Sequence, residues 1–507
     1  MKLRGLIHFP WYPLLIAVLP VVHFYEANFR SFFPSDFLRV TVFNLALSGL
    51  VFLASGLGWK NRHRGALVSA FLVAVLTVGN ELGGFLSITG LVLGVGLGVF
   101  MGVRKPDLSR LTLPLNAVFL VLVLLPVLTA WWTDRGEIPP VPTARFAQPL
   151  QVRAAPGVVK PDIWYLLMDG LGSPAYVEQE FGLNENLYSG QLRRRGFRVP
   201  NTSSSNYQQT GLSLSSTWNV AHIPTLLDVP DTASRDRRVM YDLIADSRVL
   251  RALDDLGYRT VNLPSSYPMT RLVHADAYRE PFLAPSMVEF SILDKGLLPL
   301  VQPLLGHGPA DLEFALRRRN LEYVFDNLAD ARSAVPADEP ALVFAHVMAP
   351  HPPFVFDAAG GARRSEKRFE FFDGSHWLDL HGWAAGHYPE KYRAQASYVM
   401  RRLGEAVDEI LEQATRPTVI IVQGDHGPGS GLDWEKPERS NHRERFGIFN
   451  GWYLPPEVEV DLPEGVTALA TFPILFKALF GTEMVVPADR FLIARWSRPY
   501  VFFEVRQ

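Results

Sequence analysis

Four short stretches of the chain carry side chains able to handle a charged reaction centre. Asp169-Gly170 follows the apolar run at 162–168 (DIWYLLM), so a carboxylate stands where a strand opens into a loop. Alone, the pair reads as a turn; it also suits a hard or borderline cation. Gly424-Asp425-His426-Gly427 follows a similar run, TVIIVQ, at 418–423. Adjacent Asp and His offer one oxygen and one nitrogen ligand from one loop, a set that suits zinc or manganese better than calcium. The alternative there is a turn or a helix cap. The stretch 203–216 holds eight hydroxyl residues in fourteen, among them Thr210 and Ser213. It reads as a solvated loop, or, because Leu212, Leu214 and Trp218 interrupt it, as a partly packed one. A hydroxyl becomes a competent nucleophile only when a base or a metal takes its proton. Finally, His346 and His351 flank the end of another apolar run at 341–348 (ALVFAHVM). His346 reads as a packed core residue, and His351, in the proline-stiffened Pro350-His351-Pro352-Pro353, as the better exposed of the two.

Alternating strands and helices must position these residues. The runs at 162–168, 259–263, 341–348 and 418–423 are almost continuously apolar, as in a sheet buried on both faces. Between them lie helical patterns. One covers 246–256, with an Asp246 cap and a stop at Gly257. Another covers 390–413, with Ala396, Met400, Leu403, Val407 and Leu411 on one stripe. A third starts at Thr471-Phe472-Pro473 and ends before Gly481. Such alternation predicts a doubly wound α/β domain, whose ligand site lies beyond the carboxyl ends of its strands. The candidate residues fall at those ends. The segment 369–388, with Trp377, His381, Trp383 and His387, reads equally as a substrate loop or a packed excursion.

The chain has 507 residues, 49 basic against 51 acidic, and 48% hydrophobic content. It is therefore neither a generally basic nucleic-acid binder nor disordered. It has no cysteine, which excludes disulfides, zinc–thiolate sites and a thiol nucleophile. Apolar residues crowd into the first 133 positions, with five candidate membrane spans at 7–24, 37–57, 65–79, 85–103 and 111–132. Lys2 and Arg4, then Lys60, Arg62 and Arg64, then Arg104, Lys105 and Arg110 mark one set of loops as basic. The alternate loops carry Arg30 against Glu26, Asp36 and Glu81. Basic loops face the cytoplasm, so the N-terminus is expected inside and everything after Trp132 outside. Trp131 and Trp132 fit an outer interfacial anchor. Residues 134–160 hold Pro139, Pro140, Pro142, Pro149 and Pro156 and read as a stiff tether. The expected organisation is thus a transmembrane domain at 1–133, a linker at 134–160 and a catalytic domain at 161–507.

Taken in order, Asp162…Asp169-Gly170, Asn206-Tyr207…Thr210…Ser213-Leu214, His351-Pro352-Pro353, Asp425-His426-Gly427 and Thr471-Phe472-Pro473…Gly481 resemble the sulfatase-like hydrolases and transferases of the alkaline phosphatase superfamily. The five-span anchor resembles that of lipoteichoic acid synthases and lipid A phosphoethanolamine transferases. The resemblance implies an alkaline-phosphatase-like fold. It implies Asp169, Asp425 and His426 as ligands of a divalent metal, zinc or manganese, with Thr210 as nucleophile and fourth ligand. It implies His351 as a contact to the transferred group and His442, in Asn441-His442-Arg443, as a further ligand or substrate contact. The sequence departs from the sulfatases proper: Thr210-Gly211-Leu212-Ser213-Leu214 lacks the Cys, Pro and Arg of their C/S-x-P-x-R motif. That argues for a threonine acting on phosphorus. It departs from the lipid A transferases in having no disulfides, and its first ligand is Asp where some transferases use Glu.

The expected function is transfer of a phosphoryl-linked group through a phosphothreonine. The donor is a lipid or phosphodiester, and the setting is the envelope side of the plasma (inner) membrane. The substrates expected are membrane lipids or envelope glycans, with no nucleic acid and no protein partner. The alternatives are a hydrolase with water as acceptor and a non-catalytic membrane sensor.

Overall fold

The structure, a computed structural model of the chain, describes residues 7–81, 84–136, 139–229, 234–282, 284–384 and 386–506. The chain divides into two units. The first comprises Met1–Glu137 with two later excursions, Met287–Glu313 and Arg364–Phe369; the second comprises Ile138–Ser286, Phe314–Arg363 and Glu370–Gln507.

Five helices make up most of the first unit: α1 (Tyr12–Asn28), α2 (Leu38–Trp59), α3 (Arg62–Val78), α4 (Gly84–Arg104) and α5 (Ser109–Gly136). Two segments, Pro34–Trp59 and Ser109–Gly136, are both long and apolar enough to cross a membrane. The sequence leads one to expect five spans; by length and apolarity the described helices supply two. At 17 residues each, α1 and α3 stand at the short limit of what crosses a hydrocarbon core. On α2 and α5, Leu50, Leu53, Leu57, Val121, Leu125 and Leu128 are exposed, as suits a lipid solvent and not water. Polar contacts turn inward: Asn44 donates to the Ala17 carbonyl at 3.1 Å and Ser48 to the Pro13 carbonyl at 2.9 Å. The helix Met287–Leu293 joins this unit through an ion pair of Glu289 with Arg39.

The second unit is built on a six-stranded sheet. Its strands are β1 (Asp162–Met168), β2 (Arg259–Leu263), β3 (Ala277–Tyr278), β4 (Ala341–Val347), β5 (Thr418–Gly424) and β6 (Asn450–Tyr453), in spatial order β3-β2-β4-β1-β5-β6. The first five are mutually parallel and β6 runs antiparallel beside β5, so the sheet is mixed. β1 sits between β4 and β5, and all three are buried along their whole length, which explains their unbroken apolar runs. One face carries a large cluster in which Tyr165 meets Trp218, Phe344 and Phe472.

The helices around the sheet include α6 (Thr210–Asn219), α7 (Arg248–Asp255), α8 (His387–Gln413) and α9 (Thr471–Phe480). The cap of α7 is Ser247, whose side chain accepts from the Leu250 N–H, not Asp246. On α8 the buried stripe ends on Ile410, while Leu411 is only half-buried. α9 stops at Gly481, which takes φ +65° as its C-cap. A hairpin of β7 (Phe491–Arg495) and β8 (Arg498–Val505) closes the chain. The proline-rich stretch read as a tether is laid onto the core. Val141–Pro142 pairs with Leu227–Asp228, and Phe146 and Leu150 join the large cluster.

Candidate metal centre and nucleophile

Adjacent parallel strands deliver their C-terminal residues to one place, and here β1, β4 and β5 deliver Asp169, His346 and Asp425-His426. Asp169 is held from both sides by the β4 loop: its N–H donates to the Val347 carbonyl at 2.9 Å, and its carbonyl accepts from the His351 N–H at 3.0 Å. Gly170 takes φ +73°, a conformation glycine alone adopts without strain. There its N–H donates to Asp425 Oδ1 at 3.0 Å; the same oxygen accepts from the His426 N–H at 2.9 Å. Gly427 is needed for a different reason than close approach to a ligand. A Cβ there would stand 2.0 Å from the Glu444 carbonyl oxygen.

Asp169, Asp425 and His426 each offer one ligand atom within 4.8 Å of the other two, and all three are buried. His426 Nδ1 lies 3.0 Å from the Gly427 carbonyl, so the ring proton belongs on Nδ1 and Nε2 carries the lone pair, which accepts from Arg445 at 3.2 Å. That lone pair faces Asp425 Oδ2 at 3.3 Å and Asp169 Oδ1 at 3.5 Å. Both oxygens are buried and accept no hydrogen bond. Two carboxylate oxygens without a donor thus share one small pocket with the imidazole nitrogen, an arrangement costly in a low-dielectric interior unless a proton or a cation sits among them. The residues therefore fit a divalent metal, and an O,O,N donor set fits zinc or manganese.

The electrostatics agree. Burial pushes Asp425 up, and the charge of Asp169 adds to it, to about 7. Burial works in the same direction on Asp169, but His351, His346 and His426 outweigh it and hold that carboxyl below the usual range. Two carboxylates in one pocket share a proton until a cation replaces it. Burial, with the Arg445 charge beside it, drives His426 down to about 3, so the imidazole is neutral and available as a ligand.

Thr210 opens α6 after an extended Gln209 (φ −127°) and is half-buried. Its hydroxyl stands close enough to the Asp425 carboxylate to favour that group's charged form. The positive end of a ten-residue helix thus adjoins the hydroxyl, where negative charge is favoured. Leu212, Leu214 and Trp218 are buried, so the hydroxyl-rich stretch packs. His351 is half-buried, its ring centroid 6.3 Å from that of His426. His442 stands elsewhere: Nε2 lies 3.2 Å from the Pro437 carbonyl and the ring packs on Phe446. Among the described contacts none links it to the cluster.

Three further residues support the cluster. His346 is fully buried; its Nδ1 meets Ser265 Oγ at 2.8 Å and Thr270 Oγ1 at 2.9 Å, and its Nε2 points to Asp169 Oδ2 at 3.5 Å. It was legible as the one polar side chain in ALVFAHV. Arg445 is buried, 3.2 Å from His426 Nε2, and paired with Asp373 at 2.6 Å. Asp373 accepts a second bond from the Tyr388 hydroxyl at 2.8 Å. Nothing in the spacing of residues 373 and 445 announces that pair. It resolves the segment 369–388: Trp377 is buried against Phe354 and Tyr388, so the segment packs, and it contributes Asp373.

Residues 161–456, more than half of the chain, match the family described as Sulfatase. No curated protein matches. Among solved structures the chain is similar to the C-terminal periplasmic domain of EcEptC from Escherichia coli in complex with Zn. The identity is 9%, over 73% of this chain and 96% of that one, with TM-score 0.43. It is similar to the integral membrane lipooligosaccharide phosphoethanolamine transferase A (EptA) from Neisseria meningitidis, at 12% identity over 90% of this chain and 76% of that one, with TM-score 0.42. A putative sulfatase from Bacteroides thetaiotaomicron VPI-5482 shares 14% identity over 67% and 74% of the two chains, with TM-score 0.35.

Proposed function

We propose that this chain, which belongs to the sulfatase family and so to the enzymes of the alkaline phosphatase superfamily, is a membrane-anchored phosphoryl-group transferase using Thr210 as nucleophile. One observation carries the reading. The Thr210 hydroxyl stands close enough to Asp425 to favour its charged form, and Asp425 shares a buried pocket with Asp169 and His426 in which one oxygen of each carboxylate has no hydrogen-bond partner. Asp169, Asp425, His426 and Thr210 would hold a divalent metal, zinc or manganese. Bound there, it supplies Lewis acidity that lowers the hydroxyl pKa and offsets charge on non-bridging oxygens.

The chain's own groups do the rest. Asp425 accepts from the Thr210 hydroxyl and orients its oxygen. Thr210 Oγ bonds to phosphorus of a lipid headgroup or other phosphodiester as the bond to the leaving alcohol breaks; the Thr210 proton passes by way of Asp425 to that alcohol, and phosphothreonine remains. His351 stabilises the charge on the phosphoryl oxygens. An alcohol of a membrane lipid or envelope glycan then takes the group from Thr210, which recovers its proton.

The anchor is proposed as five spans with the N-terminus cytoplasmic. Contacts within the first unit support that topology. Lys295 pairs with Glu81, the Asn80 N–H donates to the Lys295 carbonyl at 2.9 Å, and Arg39 pairs with Glu289. They support placing the start of α2 and the end of α3 on one side of the anchor, with the basic Lys60, Arg62 and Arg64 opposite. Anchoring raises the local concentration of a lipid donor.

Mass spectrometry of the full chain after incubation with lipid extract and metal tests the reading. A phosphoryl adduct on the Thr210 peptide is expected, and Thr210→Ala should fold, keep metal and lose turnover. Retained turnover in that variant would end the assignment. Product analysis with and without a glycerol or sugar acceptor separates transfer from hydrolysis.

A further inference from the structure

The hairpin β7–β8 lies beyond the part of the chain that matches the family, yet it is fastened to the segment that delivers Thr210. The Leu492 N–H donates to the Asn206 carbonyl at 3.0 Å, and the side chains of Gln208 and Gln209 both donate to the Ala494 carbonyl. At its tip stands Trp496, 47% exposed. Beneath that indole is Arg237, only 4% exposed, with its Cζ 3.9 Å from the ring centre. Arg237 donates to Gln209 Oε1 at 2.8 Å and to the Trp496 carbonyl at 2.6 Å. Among the described residues no carboxylate pairs with it, and burial lowers its pKa. An arginine buried without a counter-charge is costly, which asks what the charge is for.

The other flank of Trp496 leads back to the metal centre. Trp434 meets it edge-on at 5.6 Å, stacks with His376 at 6.1 Å, and has the Arg445 guanidinium 5.9 Å from its ring. Arg445 is the residue that touches His426. The tip also carries Arg498, exposed, and Arg495, whose buried Nε has no hydrogen-bond partner. An exposed indole takes the apolar face of a flat ring, and its surroundings favour negative charge.

We propose that Trp496, with Trp434 behind it, forms a sugar subsite beside Thr210 that seats the pyranose ring of an anionic acceptor. The ring lies on the Trp496 face, and its phosphate or carboxylate lies in the field of Arg237, Arg495 and Arg498. This rests on the Thr210 reading for its place in the reaction, though its binding test does not.

The test is calorimetric titration of the full-length protein in detergent with glucose 1-phosphate, glucose and inorganic phosphate. Wild type should bind glucose 1-phosphate more tightly than either fragment. Trp496→Ala should weaken that binding about tenfold, the loss of one aromatic contact, and Trp496→Phe should restore most of it. Both variants should keep metal content and phosphothreonine formation. The proposal fails if wild type does not bind glucose 1-phosphate, if inorganic phosphate binds as tightly, if Trp496→Ala binds like wild type, or if Trp496→Phe restores nothing. Failure of the nucleophile reading would show separately, as missing phosphothreonine in wild type with the titrations unchanged.

Discussion

Asp425→Asn should stabilise the metal-free protein at pH 8 and make it insensitive to metal. Burial and the neighbouring Asp169 charge raise the Asp425 carboxyl in the folded state, to about 7 from an ordinary 3.8. The native state therefore holds a proton that the unfolded state has released between those values. Stability from this group is fully present below pH about 4 and is lost as pH rises through about 7. Three units at about 1.4 kcal/mol each give about 4 kcal/mol as an upper figure, and relaxation of the pair reduces it to about 2–4 kcal/mol. Asp169 does not blur the window, because its carboxyl is shifted the other way and its contribution is lost only at acid pH. Asn keeps the oxygen that accepts from the Gly170 and His426 N–H groups. Its amide N–H₂ meets the unpaired Asp169 Oδ1 and the His426 lone pair. Metal at a hundredfold excess over Kd should stabilise wild type by about 2.7 kcal/mol and the variant not at all. Thermal unfolding in detergent from pH 4 to 8, with chelator and with zinc or manganese, reads all of this. A variant less stable than wild type at pH 8 in chelator, or one still stabilised by metal, would refute the reasoning.

Other outcomes follow from the same geometry. Metal uptake should displace the Asp425 proton, so apparent affinity should weaken by about tenfold per pH unit below 7, measured by competition with a chromophoric chelator. Arg445→Met leaves Asp373 buried without its partner and should cost about 3–5 kcal/mol by urea denaturation; adding Asp373→Leu should recover part of it. Gly427→Ala should abolish metal binding, since its Cβ meets a backbone carbonyl. Gly257→Ala, at φ +82° with open space around it, should cost only about 1 kcal/mol and leave metal content unchanged.

What the sequence disclosed and what it concealed divide along physical lines. The strands announced themselves because a doubly covered sheet needs most of its side chains apolar. Asp169 and Asp425-His426 stood out because polarity resumed abruptly at the strand ends. Thr210 could be picked from eight hydroxyls only through the family resemblance, since its distinction is its place at the start of α6. The Asp373–Arg445 pair was invisible, because 72 residues separate its partners and no periodicity links them. His442 was expected near the centre, while Arg445, one turn further along the same short helix, is the side chain that reaches His426. The prolines of 134–160 read as a stiff tether, but Phe146 and Leu150, four residues apart, bury against the core. Glu289 gave no sign that it would join the N-terminal helices, since its partner Arg39 lies 250 residues away.

The most direct test is anomalous diffraction from crystals of the full chain grown with zinc or manganese. One strong peak is expected within bonding distance, about 2.0–2.3 Å, of Asp169, Asp425 and His426, with Thr210 Oγ completing the sphere. A peak on other residues, or one that leaves the Thr210 oxygen beyond reach, would contradict it.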